Sequence, residues 1–172
     1  MKQSVFYYLV GALLVLLLSG CHSSTSTQEG AQFYDASIDG SVQLDEALAN
    51  AREEGKNLLV QVGGDWCPWC RKITRFIQDD QQLASLVEQS YLWVHLYYGK
   101  ENHNETAMAR LGDPIGQGFP FFVVVSPEGV VLHQQETGSF ERGETYDREA
   151  LLRFLQAWQD AGPASSEEGS PR

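Results

Sequence analysis

Residues 63–72 read GGDWCPWCRK. Cys67 and Cys70 stand two residues apart, enclosing Pro68 and Trp69 and preceded by Trp66. Such a pair can be a structural staple, half of a metal site or a working redox centre, and the surrounding chain has to decide. Upstream, NLLVQV (57–62) is a short apolar run closed by Gly63-Gly64, the pattern of a buried strand. Downstream, CRKITRFIQ places Ile73, Phe76 and Ile77 on one side of a helix. The cysteines therefore fall at a strand-to-helix turn. Pro68 lies in the first helical turn, where its missing N–H costs nothing.

The chain has 172 residues, 42% hydrophobic and 20% charged, enough for one domain with a core plus tails. Its formal net charge of −11 argues against a nucleic-acid partner, which needs a basic face. Lys2 precedes the apolar run Val5–Leu18, which has the length of a secretory signal and is short for a membrane span. The run ends in LSGC (18–21), which resembles a bacterial lipobox and implies lipid on Cys21. Acyl chains there would anchor the protein to a membrane. Cys67 and Cys70 then remain as an exclusive pair in an exported chain, which meets an oxidising compartment.

The expected organisation is a signal peptide at 1–20, a flexible tether at 21–37, a folded domain at 38–160 and a disordered tail at 161–172. Within the domain, Leu44, Ala47, Leu48 and Ala51 mark a helix that Gly55 stops. A further helix is expected over 79–89 and a strand over YLWVHLYY (91–98). Residues 99–118 form a polar, Gly-rich connection with a short helix near Glu105–Leu111. FFVVV (121–125) and VVLHQQ (130–135) flank the turn SPEG (126–129), and a last helix runs from the N-cap Asp147 to Trp158. The order α-β-α-α-β-α-β-β-α gives an α/β fold, a mixed sheet covered by helices.

The three readings of the cysteine pair carry different weight. A disulfide between residues three apart closes a tiny loop and contributes about 2 kcal/mol or less. Zinc needs four ligands. There is no second CxxC, and His22, His95, His103 and His133 are scattered singly. Redox chemistry accounts for more. A thiol at a helix start meets unpaired N–H groups and the positive end of the dipole, which favour the thiolate that attacks disulfides. Cys70, one turn deeper, can resolve the mixed disulfide.

DWCPWCRK at a strand-to-helix turn resembles the active site of the thioredoxin superfamily. So does GQGFPFFVVVSPEG (116–129), a proline opening a strand that leads into a hairpin and a terminal helix. The resemblance spans about residues 38–160 and implies a thioredoxin-like fold with an extra N-terminal helix. It implies Cys67 as nucleophile and Cys70 as resolving cysteine, with no bound cofactor. Pro120 would be a cis-proline facing the pair, and the backbone of Phe119 would pair with an extended substrate. Trp66, Pro68 and Trp69 would line the substrate's resting surface.

The chain also departs from that pattern. Gln61 stands where a buried aspartate is expected and cannot accept a proton. His95 replaces a lysine of the neighbouring strand, either as a proton relay for Cys70 or as a half-exposed strand histidine. Asp65 reads as a solvated turn residue, and Tyr91, Trp93 and Tyr97 as packing. Asn104-Glu105-Thr106 matches a glycosylation acceptor by chance.

The expected function is that of a membrane-anchored periplasmic thiol–disulfide oxidoreductase, a reductase or isomerase partner. Its partners would be proteins with cysteines and a membrane electron donor. The alternative is a protein-binding module that uses the thioredoxin groove while its disulfide stays idle.

Overall fold

The computed structural model describes residues 30–160. The expected signal peptide, the lipidated Cys21 and the C-terminal tail lie outside the described residues. No helix among the described residues is long and apolar enough to cross a membrane.

Helix α1 (Gly40–Glu54) starts where the Asp39 carboxylate accepts the N–H groups of Ser41 and Val42. It ends at Gly55, whose φ of 66° is left-handed and favours glycine. Strand β1 (Asn57–Gly63) is buried along its whole length. Helix α2 (Pro68–Asp79) and helix α3 (Gln81–Ser90) meet at Asp80, which caps α3. Strand β2 (Tyr91–Tyr97) follows, then the one-and-a-half-turn helix α4 (Glu105–Arg110). Strands β3 (Phe121–Val125) and β4 (Val131–Glu136) form the expected hairpin. Asp147 caps the last helix, α5 (Arg148–Trp158), as expected.

The main sheet has the order β2-β1-β3-β4. β1 and β2 are parallel, and β3 runs antiparallel to both β1 and β4. Alternation along β1 divides the core. Leu58, Val60 and Val62 pack with Leu44, Leu48 and Met108 under α1 and α4. Leu59 packs with Phe122, Ile73, Ile77, Leu151 and Leu155 under α2, α3 and α5. This is the expected mixed sheet between helical layers, and burial on both faces explains why β1 reads as an apolar run interrupted only by the buried Gln61 after Asn57.

Three features differ from the sequence reading. A short ribbon, β5 (Glu141–Arg142) with β6 (Thr145–Tyr146), precedes α5. The compact unit begins at Gln32. Tyr34 is only 2% exposed, so the expected tether does not extend to residue 37. The aromatic pair Phe33-Tyr34 supplies apolar surface that a purely polar stretch lacks, and this draws the segment onto the domain. Asn104, read as a chance glycosylation match, holds a structural post. Its Oδ1 accepts the Gly40 N–H at 2.8 Å and its Nδ2 donates to the Tyr97 carbonyl at 2.8 Å.

Candidate functional site

The site is built where β1 ends and α2 begins. Cys67 is the N-cap of α2, and its sulfur accepts the Cys70 N–H at 3.2 Å. Pro68 occupies the first helical position. Both cysteines are free thiols; Cys67 is 5% exposed and Cys70 fully buried.

Electrostatics separates the two thiols. The Cys70 thiol donates to Cys67, and the N–H groups of Cys70 and Trp69 add to it, holding Cys67 down at about 7 against its burial. Cys70 is pushed up strongly: Cys67 holds its proton, burial disfavours its charge, and a Cys67 thiolate repels it. The Gly64 N–H and the Tyr34 hydroxyl act on Cys70 in the opposite direction. One sulfur is thus poised to ionise near neutral pH and the other to keep its proton.

Facing the pair, the Phe119–Pro120 peptide bond is cis. The Cys67 thiol lies 3.6 Å from the Phe119 carbonyl oxygen. The Pro120 carbonyl accepts the buried Thr137 hydroxyl at 2.6 Å, which fixes this loop to the end of β4. Trp66 is 52% exposed, donates its indole N–H to the Tyr98 carbonyl at 3.0 Å and stands edge-on to Phe119 at 5.5 Å. Phe119 stacks on Tyr98 at 5.4 Å. Together with His103 and residues 99–101 these rings line a cavity of about 560 Å³. Trp69 turns the other way, edge-on to Tyr146 at 5.2 Å, with the Lys72 ammonium 3.9 Å above its ring. The unexpected β5–β6 ribbon supplies that Tyr146, whose hydroxyl donates to the Trp69 carbonyl at 3.2 Å.

Beneath Cys70 lies a polar layer. Gln61, fully buried, shares its two Nε2 hydrogens among three acceptors, the Cys70 carbonyl at 3.1 Å, the Thr74 hydroxyl at 3.0 Å and the Tyr34 hydroxyl at 2.6 Å, and the Thr74 hydroxyl itself donates to the Cys70 carbonyl at 3.0 Å. His95, the β2 residue paired with Gln61, reaches Thr74 through Nε2 at 3.1 Å. It is part-buried among the rings of Phe33, Tyr34 and Trp93, and burial lowers its pKa to about 4. His95 therefore stands under the site, linked towards Cys70 through Thr74 and Gln61. Tyr91 and Tyr97 are buried and Trp93 part-buried, in keeping with packing.

Asp65 corrects the sequence reading. Its carboxylate accepts the Phe33 N–H at 3.2 Å and the Tyr34 N–H at 3.1 Å, so it anchors the N-terminal segment instead of facing solvent. Tyr34 and Thr74 were not legible as site residues. The one available signal was an aromatic pair, Phe33-Tyr34, inside an otherwise polar stretch. Among the described residues no group of three or more His, Cys, Asp or Glu could hold a metal ion.

A family model described as Thioredoxin-like matches residues 40–127, just over half of the chain. The chain belongs to the thioredoxin-like family. Within that family its fold is similar to a disulphide isomerase from Xylella fastidiosa Temecula1, at 25% identity and a TM-score of 0.65, covering 74% of this chain and 96% of that one. It also resembles a DsbH oxidoreductase in fold, at 20% identity and a TM-score of 0.52, over 87% of this chain and 99% of that one. No curated protein matches the chain. The thioredoxin-like match begins at the first residue of α1 and so leaves out Tyr34, although Tyr34 packs against the cysteine pair.

Proposed function

We propose that this thioredoxin-like chain is a thiol–disulfide oxidoreductase working through Cys67 and Cys70. The observation that carries the reading is the asymmetry of the pair: Cys67, capping α2, is held down at about 7, while the fully buried Cys70 is pushed up. A thiolate that forms near neutral pH is the species that attacks disulfides. In the reducing direction Cys67 attacks a substrate disulfide, forms a mixed disulfide and expels one substrate sulfur. Cys70 then gives up its proton and attacks the Cys67 sulfur. The bond to substrate breaks, the second substrate sulfur leaves and takes up a proton, and a Cys67–Cys70 disulfide remains. Two electrons have passed from the pair to the substrate.

In this reading the Phe119 backbone, beside cis-Pro120, pairs with an extended substrate segment, and Trp66, Pro68 and Trp69 border it. His95 is too strongly neutral to supply a positive charge near Cys70 at pH 7, and any share it has in proton movement runs through Thr74. Similarity to the disulphide isomerase supports the isomerase side of a reductase or isomerase role. The leader and Cys21 place the domain, in this proposal, on the periplasmic side of a bacterial envelope membrane, held by lipid and re-reduced by a membrane electron donor.

The test is the equilibrium of the Cys67–Cys70 pair in glutathione buffers, read by thiol trapping. A potential near about −270 mV supports a reductase, and one near about −120 mV a dithiol oxidant. A pair that never exchanges, with cellular function retained in the Cys67→Ser, Cys70→Ser double variant, overturns the enzyme reading in favour of a binding module.

A further inference from the structure

The Cys70 sulfur has a neighbour that the exchange chemistry above does not use. Tyr34 comes from the segment ahead of α1, is 2% exposed and packs in one buried cluster with the cysteine pair. Its hydroxyl flanks the Cys70 sulfur: a side chain added at Gly63 would begin 2.5 Å from that sulfur and 3.4 Å from the Tyr34 hydroxyl. Where the hydroxyl proton points follows from the groups around it. The Cys70 carbonyl, 3.1 Å from the Gln61 amide, is an acceptor only, so the amide nitrogen must face it. That same nitrogen lies 2.6 Å from the Tyr34 oxygen and donates to it. The Tyr34 oxygen is therefore already an acceptor towards Gln61, and its own proton is left to point at the Cys70 sulfur. With the Gly64 N–H, this gives a Cys70 thiolate two donors inside a site that water does not reach.

Position and rigidity support a chemical role. Asp65 holds the backbone N–H groups of Phe33 and Tyr34, and the Tyr34 ring stands edge-on to His95 at 5.1 Å. Burial and the nearby sulfurs raise the phenol well above its ordinary value, so it stays protonated and remains a donor at working pH. Cys67, Tyr34 and, from the far side of Trp69, Tyr146 are the titratable groups that act on Cys70 or are acted on by it.

We propose that the Tyr34 hydroxyl is a catalytic residue of the second half-reaction, donating to the Cys70 sulfur as it becomes the thiolate that resolves the mixed disulfide on Cys67. The inference rests on the exchange reading above. The Cys70 proton is balanced by the one that the departing substrate sulfur takes up, and Tyr34 keeps its own proton throughout. A donor to the developing thiolate lowers the barrier to resolution and leaves the first attack by Cys67 unaided.

The experiment uses the full chain, reduced, in a Cys21→Ser background, with Ellman's reagent as the probe. Attack by Cys67 releases one thionitrobenzoate and leaves another on Cys67; attack by Cys70 releases the second, giving two kinetic phases. In Tyr34→Phe the first phase is expected to stay within about twofold. The second is expected to slow roughly tenfold, the loss of one hydrogen bond to a charged group, with its pH profile moved upwards. Replacing Tyr34 by difluorotyrosine keeps the ring and makes the phenol more acidic; it is expected to speed the second phase and move the profile down. A second phase unmoved by both changes, or two phases slowed alike, overturns the proposal. A wild-type chain without a second phase overturns the exchange reading itself, and so separates the two failures.

Discussion

The Asp65 carboxylate accepts the Tyr34 backbone N–H at 3.1 Å, tying the turn before Cys67 to a segment about thirty residues upstream. It takes the Phe33 N–H as well. Those N–H groups have no strand partner, so the carboxylate supplies what secondary structure does not.

Asp65→Ala is therefore expected to release the segment. Losing partly buried hydrogen bonds to a charged acceptor costs about 1–3 kcal/mol. Chemical denaturation should show an earlier midpoint, and limited proteolysis a new cleavage between residues 32 and 38. An unchanged midpoint and cleavage pattern would mean that the segment is held by ring packing alone.

Cys67 is expected to react with iodoacetamide along a curve with its midpoint at about pH 7. An ordinary thiol, at about 8.5, would react more slowly below pH 8. The first cause of the lowering is the Cys70 thiol, so Cys70→Ala should move the midpoint up, and Cys70→Ser, which keeps a donor, should move it less. Rates resolved by peptide mass spectrometry decide this; coincident curves for the two variants would refute it.

Gln61→Leu keeps most of the side chain's bulk and removes a donor that serves the Cys70 carbonyl, Thr74 and Tyr34. Leaving buried acceptors unsatisfied costs about 1–3 kcal/mol each where no water enters. A urea midpoint equal to that of the wild-type chain would show that Thr74 and Tyr34 find other donors.

His95 gives a pH signature. Its folded pKa, about 4, lies below the ordinary 6.5, so the unfolded chain binds the extra proton first as pH falls. The stability that neutral His95 contributes is complete above about pH 6.5 and drains away between there and about pH 4. His95→Gln should flatten the stability profile in that window. Parallel profiles for the two proteins would show that His95 titrates normally.

Much of this was readable in advance because it depends on local pattern. The largely apolar run of β1 and the Gly63-Gly64 stop placed the cysteines at a strand-to-helix turn, and Asp147 marked the start of α5. The cis bond at Pro120 and the helix-capping place of Cys67 match the family resemblance. What escaped the reading depends on contacts across the sequence. Asp65 looks solvated until Phe33 and Tyr34 come back to it. The β5–β6 ribbon has only two residues per strand, too short for an alternation to register. Tyr34 stands beyond the conventional boundary of the domain, in a stretch whose composition is that of a linker.

The bare backbone at Gly63 bears on oxidative damage. A side chain there would begin 2.5 Å from the Cys70 sulfur, so the main chain itself covers that flank of a sulfur with no solvent exposure. Of the two cysteines only Cys67 has any solvent exposure, 5%, so peroxide is expected to act there first. A sulfenic acid formed there would lie beside the sheltered thiol, which would condense with it to a Cys67–Cys70 disulfide and release water. Under the proposed exchange chemistry that disulfide is itself a working state, so oxidation would end in a form that exchange reverses and not in an irreversible acid.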